Sequence, residues 1–260
     1  DVVDTLTVQN GGQISASSLE LGQGNAGNVV INTGNLLVDK QGSEWFTGIA
    51  SFTHFGAGGG VYLSVADTLT LLKGGEISAS TFGQGQAGNV TITAGTLLID
   101  GQGYGGLTGL TGITSHVNPG STGSGGEVHV TVADTLTLLN GGRIAANTFG
   151  EGNAGNVTVE ARNLFIDRQG SPTFTGIASS AELGSGDAGN VTLTVTDTLT
   201  LQGGGDIRTG TFTQGNAGAV TLTAGNLLVD GQGSDHFTGI TSSAESGSTG
   251  AGGDVTLTIA

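Results

Sequence analysis

One short motif recurs along this chain at nearly constant spacing. Asp-Thr-Leu-Thr begins at Asp4, Asp67, Asp134 and Asp197, which are 63, 67 and 63 residues apart. Each of these four units consists of two similar halves, and each half carries three short apolar segments in the same order. Such a period is typical of a solenoid, in which every turn buries its apolar face against the turns beside it.

The apolar residues of each segment alternate with polar ones, as in Val90-Thr91-Ile92-Thr93, which is the pattern of a strand buried on one face. Three apolar columns can be aligned over eight turns without a gap. The first-strand leucines are Leu6, Leu36, Leu69, Leu97, Leu136, Leu164, Leu199 and Leu227. The second-strand isoleucines are Ile14, Ile49, Ile77, Ile113, Ile144, Ile177, Ile207 and Ile240. The third-strand valines are Val29, Val61, Val90, Val128, Val157, Val191, Val220 and Val255. We therefore predict an all-β fold, a right-handed parallel β-helix of about eight three-strand turns.

The repeats leave no room for a second domain. Residues 1–260 are predicted to form a single β-helix repeat region of four double-turn repeats. The chain begins with Asp1 and shows no signal peptide, so we expect it to be a piece of a longer protein. We also expect the apolar ends of the rod to pack against further β-helix, from the same chain or from another copy, because exposed strand edges promote association.

Composition and charge exclude several classes of partner. The chain has 52 glycines, no cysteine and a formal net charge of −15. The six basic residues are scattered singly along the sequence: Lys40, Lys73, Arg143, Arg162, Arg168 and Arg208. A nucleic-acid surface needs a cationic stripe, so no nucleic acid partner is expected. No stretch reaches the roughly 18 apolar residues that span a bilayer, and no membrane insertion or cofactor is expected.

The second half of each double turn carries Asp-x-Gln-Gly after its first strand. The aspartates are Asp39, Asp100, Asp167 and Asp230. Because they recur every second turn, neighbouring carboxylates would stand roughly 9.6 Å apart. One calcium ion needs ligands at about 2.3–2.6 Å and cannot bridge that gap. We therefore predict a structural corner, in which each carboxylate accepts hydrogen bonds from the amides that follow it, with a calcium column as the alternative.

The same halves carry longer loops with aromatic residues. These residues are Trp45, Phe46, Tyr104, Phe174 and Phe237. The outward middle position of the first strand is also apolar in these halves, at Leu37, Leu98, Phe165 and Leu228. We predict that the loop aromatics fold back over this apolar ridge. The alternative is an exposed patch that contacts sugars or a neighbouring rod.

The segment 67–93 reads Asp-Thr-Leu-Thr-Leu, then Gly-Gly, then Ile-Ser-Ala-Ser, then Ala-Gly-Asn-Val-Thr-Ile-Thr. This recurring pattern resembles the repeats of filamentous-haemagglutinin-like large exoproteins, which are exported by two-partner secretion, and the resemblance covers essentially the whole chain. It implies a secreted or bacterial cell-surface β-helix that acts in adhesion or fibre assembly. Its partner would be another copy of itself or a cell-surface ligand such as a glycan. The family's secretion domain is not matched, since the Asn-Pro at 118–119 is the only one.

Catalysis is one alternative function. β-Helices host polysaccharide-degrading enzymes, whose sites need acids and bases clustered on one face. The histidines His54, His116, His129 and His236 lie in different turns of the predicted helix, and no linked Ser, His and Asp can be recognised. We therefore predict a structural or adhesive rod that is not an enzyme, with carbohydrate binding or degradation as the alternative.

Ice binding is a further alternative. Outward threonines form Thr-x-Thr pairs in several third strands, at Thr91/Thr93, Thr192/Thr194, Thr221/Thr223 and Thr256/Thr258. The array is interrupted by Asn32, Tyr62, His129 and Glu160. Threonine is also a favourable residue for any exposed strand, so the array does not require an ice-binding role.

Overall fold

The computed structural model describes residues 1–18, 22–102 and 110–260. These residues form strands and turns, and no α-helix occurs among them. No membrane-spanning helix is therefore found in the described part of the chain. The prediction of an all-β fold is confirmed.

All strands of the described residues pair in parallel, in one long-stranded sheet of nine strands and one short-stranded sheet of eight. The strands of the long sheet are β1 Val2–Gln9, β3 Val29–Asp39, β5 Val61–Leu72, β7 Val90–Asp100, β9 Val128–Leu139, β11 Val157–Asp167, β13 Val191–Gln202, β15 Val220–Asp230 and β17 Val255–Ile259. The strands of the short sheet are β2 Gln13–Ser15, β4 Thr47–Ala50, β6 Gly75–Ser78, β8 Thr111–Thr114, β10 Gly142–Ala145, β12 Gly176–Ala181, β14 Asp206–Thr211 and β16 Gly239–Ala244. The chain alternates between the two sheets, which makes a β-solenoid of about eight turns. Its handedness stays a prediction.

The long strands differ from the expected arrangement of three strands per turn. The third strand of one turn and the first strand of the next join into one strand, and the register of their pairing shifts near the middle. The strand β5 has 12 residues and its neighbour β7 has 11, so the extra residue forms a bulge in the middle of β5. Gly95 lies opposite this bulge, where a Cβ would come within 2.5 Å of the carbonyl oxygen of Asp67.

The three predicted apolar columns are confirmed by the pairing. For example, Leu69 pairs with Leu97, Ile144 pairs with Ile177, and Val61 pairs with Val90. Side chains in the middle of the stack are completely buried, among them Ile144 and Val90 at 0% exposure. Burying one such side chain stabilises a fold by about 1.5–3 kcal/mol. The columns therefore hold successive turns together.

The corners are held by asparagine side chains. The Oδ1 atom of Asn156 accepts a hydrogen bond from the backbone N–H of Asn190 in the next turn at 2.9 Å, and Asn190 does the same for Ala219 at 2.8 Å. In the same way, Asn28 accepts a hydrogen bond from the backbone N–H of Gly60, and Asn89 accepts one from the backbone N–H of Glu127. These contacts are the amide hydrogen bonds between turns that the repeated Gly-Asn predicts.

The last turn is the most exposed part of the inward columns. Val255, Leu257 and Ile259 are 43%, 45% and 48% exposed, whereas Val220 and Leu222 in the preceding turn are fully buried. The expectation that the terminal turns pack against further β-helix stays a prediction.

Candidate functional site

The outer face of the short sheet changes from turn to turn. The residue directly before each inward isoleucine points outward, and these residues pair across successive strands in one column, which we call the outer column. Its members are Gln13, Gly48, Glu76, Gly112, Arg143, Gly176, Asp206 and Gly239. Glycine therefore alternates with polar or charged side chains along this face.

The glycines of the outer column make room for loop aromatics. Phe46, Phe174 and Phe237 each stand two residues before a glycine of the outer column, as in Phe46-Thr47-Gly48. A Cβ at Gly48 would lie 3.0 Å from Cζ of Phe46, and a Cβ at Gly239 would lie 2.8 Å from Cζ of Phe237. Phe46 and Phe237 therefore pack over the short sheet, each above its own glycine.

The prediction that the loop aromatics cover the apolar ridge is wrong for Phe46, Phe174 and Phe237. The ridge residue Leu37 lies on the long sheet, where it pairs with a threonine of β5. Phe46 instead meets Phe52 edge-on at 5.3 Å, beside the short sheet. The physical reason is that each loop returns directly into a short-sheet glycine, which offers the ring a nearer space than the ridge does.

The exposure of the loop aromatics bears on the alternative of an exposed patch. Trp45 is 75% exposed and Phe237 is 57% exposed, so both side chains are open to a partner. Tyr104 lies outside the described residues. Phe52 and Phe82 meet edge-on at 5.3 Å, and His54 stacks on Phe82 at 5.6 Å. These rings make an aromatic row on the first turns of the short sheet.

A charged cluster occupies the middle of the same face. The guanidinium carbon of Arg208 lies 4.6 Å from the centre of the Phe174 ring, and that of Arg143 lies 5.9 Å from it. Arg208 also meets Glu182 at 3.4 Å and Asp206 at 3.8 Å. Arg143 and Arg208, which are far apart in the sequence, therefore lie against the same ring.

Burial changes the acidity of this cluster. It raises the pKa of the Asp206 carboxyl to about 6, although Arg208 opposes the shift. Burial also raises the pKa values of Glu182 and Glu76, and it lowers the pKa of the Arg143 guanidinium. The carboxylates and arginines partly neutralise each other, which is the arrangement of a packed ion network.

Sequence reasoning missed this cluster because its members are distant in sequence. A signal was nevertheless present, since Glu76, Arg143 and Asp206 each stand directly before a column isoleucine. Residues in equivalent places of a solenoid share one face, so charges at the same position of alternate turns must lie along one line.

The predicted histidine positions are not brought into one site. His116 is buried beside Phe149, with ring centres 5.6 Å apart, and burial lowers its pKa to about 3. His54 stacks on Phe82, and Nε2 of His129 lies 3.3 Å from the Thr131 hydroxyl of the long sheet. His236 is exposed in the loop before Phe237.

The four corner aspartates make the contact expected of a structural corner. In each case Oδ1 accepts a hydrogen bond from the backbone N–H of the glutamine two residues later, at 2.9–3.0 Å. The pairs are Asp39 with Gln41, Asp100 with Gln102, Asp167 with Gln169 and Asp230 with Gln232. Each glutamine has a positive φ of 46–50°, so the carboxylate holds the chain in the left-handed turn.

The outward threonines lie in register on the long sheet. Thr192 pairs with Thr221, and Thr221 pairs with Thr256. Upstream, Thr158 pairs with His129, and Glu160 pairs with Thr131, so the array is uniform only near one end. The ice-binding alternative thus has a regular surface over the last turns alone.

Comparison of the chain with protein-family models, curated proteins and solved structures found no match. The resemblance to large exoproteins therefore stays an expectation that depends on the repeat pattern.

Proposed function

We propose that this chain is a segment of an extracellular structural and adhesive rod of a bacterial surface or secreted exoprotein, and that it has no catalytic activity. The observation that carries this proposal is the unbroken strand order of both sheets, which joins every described turn into one continuous stack. Such a stack holds its outer side chains at fixed positions along roughly 38 Å, at about 4.8 Å per turn. A rod of this kind can extend away from a surface and present its outer side chains to a partner.

The difference between constant inward residues and variable outward residues in successive turns supports the same role. The inward columns keep Leu, Ile or Val in every turn, whereas the outer column changes from Glu76 to Arg143 to Asp206. A scaffold needs a constant core and tolerates a variable outer face, and partners are met on that face.

The charged cluster favours recognition or stability over catalysis. Two carboxylates flank the single guanidinium of Arg208, which itself lies on an aromatic ring. A catalytic acid and base need an open space between them for substrate, whereas these groups contact each other. We therefore propose that the cluster has a structural role on the outer face of the short sheet.

Carbohydrate binding is the second candidate function. It is favoured by Trp45 and Phe237, which are large aromatic side chains exposed in equivalent loops. Exposed aromatic rings supply binding area at low entropic cost and are enriched where proteins contact partners.

The proposed location is tested on intact producing cells with an antibody raised against residues 1–260. We expect the antibody to label the outside of intact cells or the released fibres, and we expect deletion of the region to reduce attachment to a surface. Labelling that appears only after the cells are permeabilised would contradict the proposal. So would unchanged attachment by the deletion strain.

A further inference from the structure

The outer face of the long sheet carries the apolar ridge formed by Leu37, Leu98, Phe165 and Leu228. The loop aromatics of the described turns pack over the short sheet and do not cover this ridge. Leu228 is 52% exposed, and the other three ridge residues are partly exposed. An apolar strip that runs along the length of a rod is a place where another protein surface can pack.

Large and small side chains alternate along this ridge, because a threonine stands between each two ridge residues. The order along the paired column is Leu37, Thr70, Leu98, Thr137, Phe165, Thr200 and Leu228. Neighbouring strands lie about 4.8 Å apart, so a large side chain recurs about every 9.6 Å. The threonines between them leave gaps of the same spacing.

This alternation fits a second copy of the same chain. If two long sheets face each other with antiparallel rod axes, about a two-fold axis parallel to the strands, equivalent columns meet. A register that sets each Asp-x-Gln-Gly turn against an Asp-Thr-Leu-Thr turn places every large side chain opposite a threonine. The register with the greatest overlap puts Phe165 opposite Thr70 of the second copy. Facing sheets pack about 10 Å apart, which lets such side chains interdigitate.

The two columns at the centre of this surface contain no charged residue. The ridge column is Leu, Phe or Thr in every turn, and the outward position two residues earlier is Thr or Asn in every turn, from Thr5 to Asn226. The formal net charge of the whole chain is −15. Interface cores are depleted of charged residues, so an uncharged stripe on such an acidic chain favours contact with another protein.

The corner aspartates beside the ridge do not oppose the packing. In this third column Leu72 and Leu139 alternate with the corner aspartates. Asp39 and Asp167 are only 8% exposed, and each carboxylate accepts a backbone hydrogen bond within its own chain. A second copy that covers this column therefore leaves neither of these two carboxylates without a partner.

The other margin of the stripe shows charge complementarity in the same register. Asp67, Asp134 and Arg162 border a surface groove of about 390 Å³ whose lining includes Gly95. The aspartates belong to Asp-Thr-Leu-Thr turns, whereas Gly95 and Arg162 belong to Asp-x-Gln-Gly turns. Pairing unlike turns therefore never sets one aspartate directly opposite another, and it puts Asp67 opposite Arg162 of the second copy. The Arg162 side chain is 62% exposed and lies 4.0 Å from Asp197 of its own chain.

The available area is large enough for a stable pair. The stripe and its two margins span about six residues of each strand, or about 20 Å, and about 38 Å along the rod. The contact would cover about 800 Å² on each copy, which is the area per partner of a standard protein–protein interface.

We propose that two copies of this chain pair side by side and antiparallel through the outer face of the long sheet, with the large ridge residues of each copy seated against the threonines of the other. The inference goes beyond the adhesive rod proposed above and does not depend on where that rod is located. Pairing through the long sheets leaves both short sheets, with the exposed Trp45, on the outside of the pair.

The first test is sedimentation equilibrium of the purified chain from about 1 to 100 μM. We expect a monomer–dimer equilibrium, and we expect Phe165→Asp to weaken dimer formation by about tenfold or more, because it places a charge in the centre of the contact. Thr158→Asp is the matched control, since Thr158 is an outward residue of the same strand β11 but lies outside the ridge. The control should form dimers as the unchanged chain does.

A charge exchange tests the register. Arg162→Asp should weaken the dimer by about two- to fivefold, as expected of an exposed ion pair. Adding Asp67→Arg to this variant should restore the dimer, because the exchanged charges again face each other. Adding Glu151→Arg instead gives the same net charge at an exposed residue of another loop and should not restore it.

The outcomes separate the pair from other assemblies. A chain that stays monomeric over the whole concentration range would overturn the inference. So would open-ended oligomers that Phe165→Asp leaves unchanged, which would indicate end-to-end stacking, or equal weakening by Phe165→Asp and Thr158→Asp. Circular dichroism checks the fold of each variant, and if Phe165→Asp does not fold, the charge exchange decides. A monomeric chain that still mediates attachment would reject the pair and leave the adhesive rod intact.

Discussion

The inward columns and the outer column of the short sheet follow opposite rules. Every inward isoleucine from Ile49 to Ile207 is completely buried, and the column is the same residue in each turn. The outer column beside it alternates glycine with Glu76, Arg143 and Asp206. The repeated inward residues therefore specify the fold, whereas the outward residue beside each isoleucine gives each turn its own surface chemistry.

Placing a charge in an inward column tests the difference between inward and outward positions with the largest expected effect. Ile144→Asp would bury an unpaired carboxylate between Ile113 and Ile177, and we expect it to lower the free energy of unfolding by about 3–5 kcal/mol. Thr158→Asp, on the outward side of β11, is the matched control and should cost less than about 1 kcal/mol. Urea unfolding measures both. Equal stabilities would show that the assigned register is wrong.

The outer column should respond to pH. The folded pKa of Asp206 is about 6, above its ordinary value of 3.8, so the native state binds more protons than the unfolded state between these values. The contribution of Asp206 to stability is therefore fully present below about pH 4 and is lost as pH rises through 6, by about 3 kcal/mol from this residue alone. Urea unfolding from pH 4 to 8 measures the change.

Asp206→Asn should remove the part of that pH dependence that comes from Asp206 and stabilise the chain at pH 8 relative to the unchanged protein. Glu182 and Glu76, whose pKa values are also raised, keep their own contributions. The exposed residue Asp134 of the long sheet supplies the control variant Asp134→Asn, which should keep the original profile. The same pH profile for Asp206→Asn and for the unchanged chain would show that Asp206 does not contribute to the pH dependence of stability.

The glycines of the outer column should be required for close approach of neighbouring strands. At Gly176 a Cβ would overlap the carbonyl oxygen of Asp206, and the φ of 148° is unfavourable for other residues. We expect Gly176→Ala to cost about 1–3 kcal/mol. Gly24→Ala, where a Cβ would meet nothing within 4 Å, should leave the melting temperature unchanged. Equal effects of the two substitutions would contradict the proposed crowding.

The smallest effect is expected at the corner aspartates. Their carboxylates accept backbone hydrogen bonds at 2.9–3.0 Å, so we expect EDTA to leave the melting temperature within error of the untreated sample. A rise of several degrees on adding calcium would instead reveal a ligand specific to the folded chain, since such ligands stabilise by mass action.

Most of the fold could be predicted from the sequence because equivalent residues of successive repeats lie above one another when the turns stack. Leu69, Leu97 and Leu136 stand in one column whatever the loops between them do, since the alternation of each strand fixes which side chains point inward. The joining of two predicted strands into β5 could not be predicted in this way. A bulge keeps both strand segments apolar on the same face, so the sequence pattern before and after it is unchanged.

The candidate site was predictable only in part. The hydrogen bond of Asp167 to its corner followed from local turn chemistry. The contact of Arg208 with Phe174 did not, because it depends on how a loop returns across a neighbouring strand.

The central claim is that this chain forms a rod whose turns stack along its axis outside the cell, and electron cryomicroscopy of the native material tests it most directly. We predict thin unbranched rods outside the cell, with strands perpendicular to the rod axis and an axial repeat of about 4.8 Å. Compact particles without that repeat, or rods found only inside the cell, would contradict the claim.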